Sequence, residues 1–459
     1  MAVLGFILAR GWYCGQGIGF WSDTVYFFSQ ILDPPLLRDH LLQSLWHLHA
    51  QPPIFNALTG LVMKGAPQAF PQVFQALFLG VGLATMAFTT LTLRELAVPR
   101  WPAVAIALVF CCAPPFVLYE NWYFYPHLSM GFLAGAAWCL ARSGGRPGPF
   151  MQAAFWVMAA LVLLRSLFHP VYLVLALAVA LVNCPRGMRK RLLLGAVLPL
   201  VLVGLFCAKN LVVLGFFGTS SWGGNSLHRV AKENVPRSEV SRLVETGVLA
   251  PISPEWEFSH PRIYMDLLGL DDQDRGVPAL DRPDRTPLHE STKRDPINYN
   301  HWVYLDVSRL YMEGALELIR RYPGPYLDTV GHNLVRFLDP VTRDNFVVPN
   351  RNRINVLATR IENLERAVLI PVVIPVLLAW SLASLFRPGR RRPRERLVLL
   401  FALGTIGWVT VLGSLAETGE NSRFRYQIMG LVLLVSCHGG RQLAQDLRTL
   451  CKAAREKRG

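Results

Sequence analysis

Ten apolar runs punctuate the chain, at 1–20, 70–93, 102–118, 127–141, 150–165, 167–183, 192–216, 366–386, 397–415 and 425–440. A helix needs about 20 apolar residues to cross a bilayer, with some tolerance, so each run is read as a span. The stretch 150–183 also reads as one kinked hairpin. Two longer segments break the rhythm. The first, 21–69, contains "ILDPPLLRDHLLQSLWHLHAQPPIFNALTGLV", which is amphipathic and too interrupted to span. It predicts one or two helices in the membrane interface, with Trp46, His47 and His49 at headgroup level. Its "QPPIFN" opens the next helix, because Pro is tolerated in a first turn. The second, 217–365, is long enough for a small domain. Within it, "HWVYLDVSRLYMEGALELIRRYPGPYLDTVGHNLVRFLDP" predicts two amphipathic helices broken at "PGP", and "GLDDQDRGVPALDRPDRTP" predicts a loop. No internal repeat of the kind that builds a transporter from two related halves is present. The predicted fold class is an all-α polytopic membrane protein with interfacial helices and a mainly helical extracytoplasmic domain.

Charge assigns the sides. The chain of 459 residues is 52% hydrophobic and only 17% charged, yet its net charge is +15. Nucleic acid does not explain that balance, because much of the positive charge sits in short connectors between apolar runs. "LRELAVPR", "ARSGGRPG", "NCPRGMRKR", "RPGRRRPRER" and the tail "KAAREKRG" each follow an even-numbered run. Positive connectors stay in the cytoplasm, so ten spans with both termini inside satisfy all five. The outward set is then 21–69, "YENWYFYPH", the turn at "RSLFHP", 217–365 and "ETGENSRFRY". The domains follow: a membrane module at 1–216 carrying the outer loop 21–69, an extracytoplasmic domain at 217–365, C-terminal spans at 366–440 and a basic cytoplasmic tail at 441–459. The eight cysteines lie in apolar runs, a basic connector or the tail, which argues against a disulfide framework. The run 1–20 has no basic n-region or clear cleavage site and carries Arg10. It is a marginal first helix, or the true start lies upstream.

Polar residues of chemical interest gather on the outward side. An Asp-x-x-Tyr step (Asp23 to Tyr26) follows the first run, and an interfacial helix leads to a Pro-Pro-aliphatic-aromatic-Asn step (Pro52 to Asn56). With "ENWYFYP", "LLRSLFHP", "GTSSWGGNSL" and "GENSRFRYQI", this ordered set resembles the GT-C superfamily of membrane glycosyltransferases, in the bacterial branch related to aminoarabinose transferases and protein O-mannosyltransferases. The likeness covers the membrane half well and the outer domain more loosely. It implies a GT-C-like bundle in the plasma (bacterial inner) membrane and a polyprenyl-phosphate-linked sugar as donor. The implied acceptor is an envelope glycan, lipid or protein, and nucleic acid is no partner.

Such a transfer needs a base for the acceptor hydroxyl and cations for the leaving phosphate. Asp23 is the expected base, although Asp is also a favoured N-cap, and Asp33 reads as a turn residue. Glu120 is a second acid on the same face or a surface carboxylate beside an aromatic belt. Arg423 and Arg425 lie outward, where arginine is disfavoured, and are expected on the phosphate with Lys209 and Arg165. Arg165 also reads as a snorkelling helix end, and His169 shares its face at i+4. Tyr26, His49, Gln51, Asn56, Tyr125, His169 and Glu420 complete the expected substrate contacts. No metal site is assigned, since carboxylates alone do not establish one. A transporter or flippase for lipid-linked saccharides is the second reading. It expects charges deep within several spans, and here they sit mostly at outer ends.

Overall fold

Each of the ten apolar runs folds as helix in the computed structural model, which describes residues 1–272, 274–286, 297–341, 350, 352–386, 393–419 and 421–456. In chain order the α-helices are α1 Ala2–Gly15, α2 Thr24–Phe27, α3 Pro34–Asp39, α4 Leu41–Trp46, α5 Pro53–Gly65, α6 Phe70–Glu95, α7 Arg100–Cys112 and α8 Pro114–Glu120. Then come α9 Pro126–Ser143, α10 Pro149–Leu164, α11 Pro170–Asn183 and α12 Arg189–Leu214. The segment 217–365 supplies α13 Gly223–Lys232, α14 Arg237–Glu245, α15 Pro261–Leu268, α16 Pro278–Asp281, α17 Val303–Arg321 and α18 Pro323–Leu338. The chain returns through α19 Asn355–Leu364, α20 Ile374–Ser384, α21 Pro393–Leu415 and α22 Asn421–Glu456. Among the described residues there is no strand, only isolated bridges such as Trp21 with Trp122.

Local chemistry sets the boundaries. Many helices begin at proline, whose missing N–H falls where the first turn has no intrahelical acceptor. The glycines after α9 and α12, Gly144 and Gly215, stop their helices in the left-handed region at φ 61° and 78°. Between α19 and α20 the chain widens into a π-helix at Glu365–Val373 around Pro371, which cannot donate the usual bond.

Among the described residues, four helical stretches are long and apolar enough to cross a membrane: Pro67–Glu95, Arg186–Leu214, Asn352–Ser384 and Pro393–Leu415. The pair α7–α8 makes a fifth if it counts as one span, bent by 60° at Ala113 before two prolines. Three more apolar helices, α1, α10 and α11, are shorter. Helix α9 is largely buried, packed by α6, α10, α21 and α22. Its Gly, Ala and Ser residues let neighbours approach closely, which is how helices associate without an aqueous driving force. This also lowers its hydropathy, so the centre of the bundle is less apolar than its periphery.

Helices α13–α18 enclose apolar centres of their own, around Tyr264, Trp302, Tyr304 and Tyr311 and around Val240, Leu243 and Leu318. They are stitched to the first loop, within 21–69. Arg285 is buried and donates to the carbonyls of Val25 (2.9 Å), Phe28 (3.1 Å) and Leu32 (3.3 Å). Beside it, Asp33 accepts from the backbone and hydroxyl of Thr286. The Asn300 amide oxygen accepts from the backbone N–H groups of His49 and Ala50. The first loop thus takes its shape from residues some 250 positions away.

Candidate active site

All five connectors that the charge pattern turns outward meet around one cavity of about 730 Å³. Ser29, Gln30 and Gln51 come from the first loop, Tyr125 from the start of α9, and Arg165 to His169 from the turn between α10 and α11. The exit from α12, helix α13, the 256–258 loop and Tyr299 form the outer wall. The end of α21 and the start of α22 close the ring with Trp408, Glu417, Arg423 and Phe424.

Two arginines are buried in this ring. Arg165 ends α10 in extended backbone, with its guanidinium 4.9 Å from the centre of the Tyr125 ring and 4.5 Å from that of Phe424. Arg423, in the first turn of α22, lies 5.0 Å over Phe124. Aromatic faces carry negative charge density, so they hold a cation in place. At the rim, Arg229 of α13 sits 3.6 Å from Glu417, both side chains about 30% exposed. Ser226 also approaches Glu417, at 3.4 Å. Among the described residues no three His, Cys, Asp or Glu side chains gather closely enough to hold a metal ion.

An apolar groove of about 410 Å³ runs between α11 and α21, lined by Tyr172, Val179, Val182, Phe401 and Trp408. Its few polar atoms are satisfied internally. The Tyr172 and Thr405 hydroxyls bond each other at 2.9 Å, and the Trp408 indole donates to the Leu167 carbonyl. Trp408 lines both the groove and the cavity, so the two spaces adjoin.

Of the residues expected from sequence, Gln51, Tyr125, Arg165, His169 and Arg423 line the cavity together. The others are elsewhere. Asp23 is exposed at the N-cap position of α2, its carboxylate caps nothing, and it is not on the cavity wall. Tyr26, one turn on, is also exposed. Glu120 is buried and gripped by Arg10 through two bonds of 2.8 Å, so both of its oxygens are engaged away from any substrate. Arg425 faces Glu365 at 3.4 Å and donates to the Asp339 carbonyl at 2.7 Å. Lys209 donates to the Trp46 carbonyl at 2.7 Å and lies over the Phe206 ring. Asn56 accepts from the Leu32 N–H and donates to the Gln30 carbonyl, which shapes the first loop. His49 is fully buried between Ser221 (2.8 Å) and the Asn300 carbonyl (3.0 Å). Burial pushes its imidazole down to about 3, so it is a neutral hydrogen-bonding strut at physiological pH. Glu420 lies outside the described residues.

Sequence reasoning missed Glu417, Arg229 and the aromatic wall of Trp222, Trp256, Phe258 and Tyr299. Faint signals existed. Glu417 stands in the outward "ETGENSRFRY" connector, Trp222 lies within "GTSSWGGNSL", and "EWEF" puts two aromatics on a polar loop. No protein-family model, no curated protein and no solved structure matches this chain.

Proposed function

We propose that the chain is an integral-membrane glycosyltransferase. It moves a sugar from a polyprenyl-phosphate donor to an envelope glycan, lipid or protein on the extracytoplasmic face. In this reading the ten helical runs cross the plasma membrane with both termini cytoplasmic, and the cavity opens outward. The observation that carries the reading is the junction at Trp408, where a cavity holding buried arginines adjoins an apolar groove. A lipid-linked phosphate has that same division, with an anionic head joined to a hydrocarbon tail.

The chemistry follows from the lining. The acceptor oxygen attacks the anomeric carbon as the bond from that carbon to the phosphate oxygen breaks. Arg165 and Arg423 take the charge that grows on the departing phosphate. The acceptor proton passes to a carboxylate, and the cavity favours Glu417 over Asp23 because Glu417 is on its wall. A base opposite the leaving group gives inversion at the sugar carbon, by analogy with glycoside hydrolysis.

The test is sugar transfer by the purified protein in lipid, with a panel of polyprenyl-phosphate sugars. Arg423→Ala is expected to lower turnover by about 10²–10³-fold, as loss of a charge-stabilising donor does. Glu417→Gln is expected to lower it by about 10²–10⁴-fold, while Asp23→Asn stays near wild type. Loss in Asp23→Asn with normal activity in Glu417→Gln returns the base to Asp23. No transfer with any donor, alongside movement of lipid-linked saccharide across the bilayer, replaces the enzyme with a transporter.

A further inference from the structure

The outer wall of the cavity differs in chemistry from its inner end. Trp222, Trp256, Phe258 and Tyr299 interlock edge to face, with Trp222 and Phe258 centroids 5.0 Å apart, Trp256 and Phe258 5.7 Å, and Phe258 and Tyr299 6.1 Å. Edge-to-face packing fixes each ring while leaving faces open, and Trp256 remains 52% exposed at the surface. Two buried polar atoms stand among these rings and on the facing wall. The Trp222 indole N–H and the Gln51 amide oxygen have no hydrogen-bond partner among the described residues, although each residue is only 7% exposed and lines the cavity. A buried donor or acceptor without a partner is costly, so such atoms mark where a ligand is expected.

We infer that this wall is a saccharide-binding subsite, and that the acceptor in the proposed transfer is therefore a glycan. A sugar ring presents a face of C–H bonds, weakly positive at hydrogen, that packs on an aromatic face. At its edge it carries hydroxyls, each of which both donates and accepts. That one group satisfies the Gln51 oxygen and the Trp222 N–H alike. A hydrocarbon chain satisfies neither. An extended peptide gains most from a strand edge, and the described residues contain no strand. The position also fits: the wall, the arginines that would hold the donor phosphate and Glu417 all line the same cavity. The identification of the saccharide as acceptor rests on the transferase reading; the binding site does not.

The test is saturation-transfer-difference NMR on the full-length protein in lipid nanodiscs without donor. The probes are short oligosaccharides of arabinose, galactose, glucose or mannose, with a Ser/Thr-rich peptide and a short-chain phospholipid alongside. At least one oligosaccharide series is expected to bind, with saturation strongest on one ring face. Trp256→Ala is expected to weaken it by about tenfold, about 1.4 kcal/mol, with Trp256→Phe restoring most of the loss. Gln51→Ala also weakens it, whereas Trp101→Ala, at an exposed site off the cavity, does not. Both Trp variants are chosen at a half-exposed side chain, and unchanged thermal unfolding verifies their folding. No binding in any series overturns the proposal, as does binding that ignores Trp256 or selective binding of the peptide or the phospholipid. The two readings fail separately. Trp256-dependent oligosaccharide binding without transfer from any donor leaves the subsite standing and removes the transferase. Transfer to a lipid or peptide with no oligosaccharide binding removes the subsite alone.

Discussion

An ionised side chain in the bundle is held by a partner or it unfolds its surroundings. Arg10 and Glu120 are the clearest case, joined by two bonds of 2.8 Å with the guanidinium stacked 3.5 Å from the Phe6 ring centre. Removing one member strands the other, so Glu120→Ala is expected to destabilise by about 3–5 kcal/mol. Replacing both, as Arg10→Met with Glu120→Met, recovers most of that loss, because a buried pair is often no better than apolar packing. Thermal unfolding in detergent of wild type, Arg10→Met, Glu120→Met and the double variant reads the cycle, and an additive double mutant would contradict the pairing. This residue pair also shows where sequence reading ran out. Glu120 looked like a second acid of the site because its partner lies 110 positions away. Asp23 and Glu417 are likewise both acids just outside apolar runs, and nothing local separates them. Arg165 and Arg423 were legible because a charge at an outward helix end stands out against its own neighbours.

At the scale of elements the sequence was far more transparent. Apolar run length foretold where every bundle helix lies, and "PGP" foretold the break between α17 and α18. The prolines that open α5 could be read directly, in "QPPIFN". What the pattern hid was packing order, since α9 is largely buried without being the most apolar. Adjacent glycines on α22 make this testable. A Cβ added at Gly439 would run into the backbone carbonyl of Leu377 on α20, whereas one at Gly440 would meet only the tip of the Leu377 side chain at 3.8 Å. Gly439→Ala is expected to cost about 1–3 kcal/mol through overpacking, and Gly440→Ala to be neutral or slightly stabilising in the helix. Equal unfolding temperatures for the two variants would refute the close crossing of α20 and α22.

At the scale of the whole molecule, acid is expected to loosen the domain built from α13–α18. Glu257 is buried, accepts from His228 at 2.9 Å and pairs with Lys232 at 2.6 Å. His228 stacks on Tyr311, and burial pushes its imidazole below the usual 6.5 despite the carboxylate beside it. For Glu257, burial alone would raise the carboxyl, but the His228 bond and the Lys232 charge together bring it below 4.5. Both groups therefore bind protons more readily when unfolded, so stability rises with pH. The contribution of His228 is fully present above 6.5 and is lost as pH falls below it; that of Glu257 is lost in turn below 4.5. Proteolysis of the 217–341 region should accelerate as pH drops through the first window, and His228→Gln should flatten that step. A profile identical to wild type would show that the cluster does not set acid stability. None of this was visible along the chain, because the three residues come together only when α13 folds against the 250–258 loop.

The grip of Arg285 on the first loop has a consequence in time. The carbonyls it holds belong to Val25, Phe28 and Leu32, so 253 residues separate Leu32 from its clamp. At about 5–20 residues per second of synthesis, that loop is exposed on the order of tens of seconds before its arginine emerges. The amino-terminal helices are thus made while that loop is still unfinished, and the second half of the chain completes the first. Ribosome-bound chains halted before residue 285 should leave residues 25–32 open to protease, and chains extended well past it should close them.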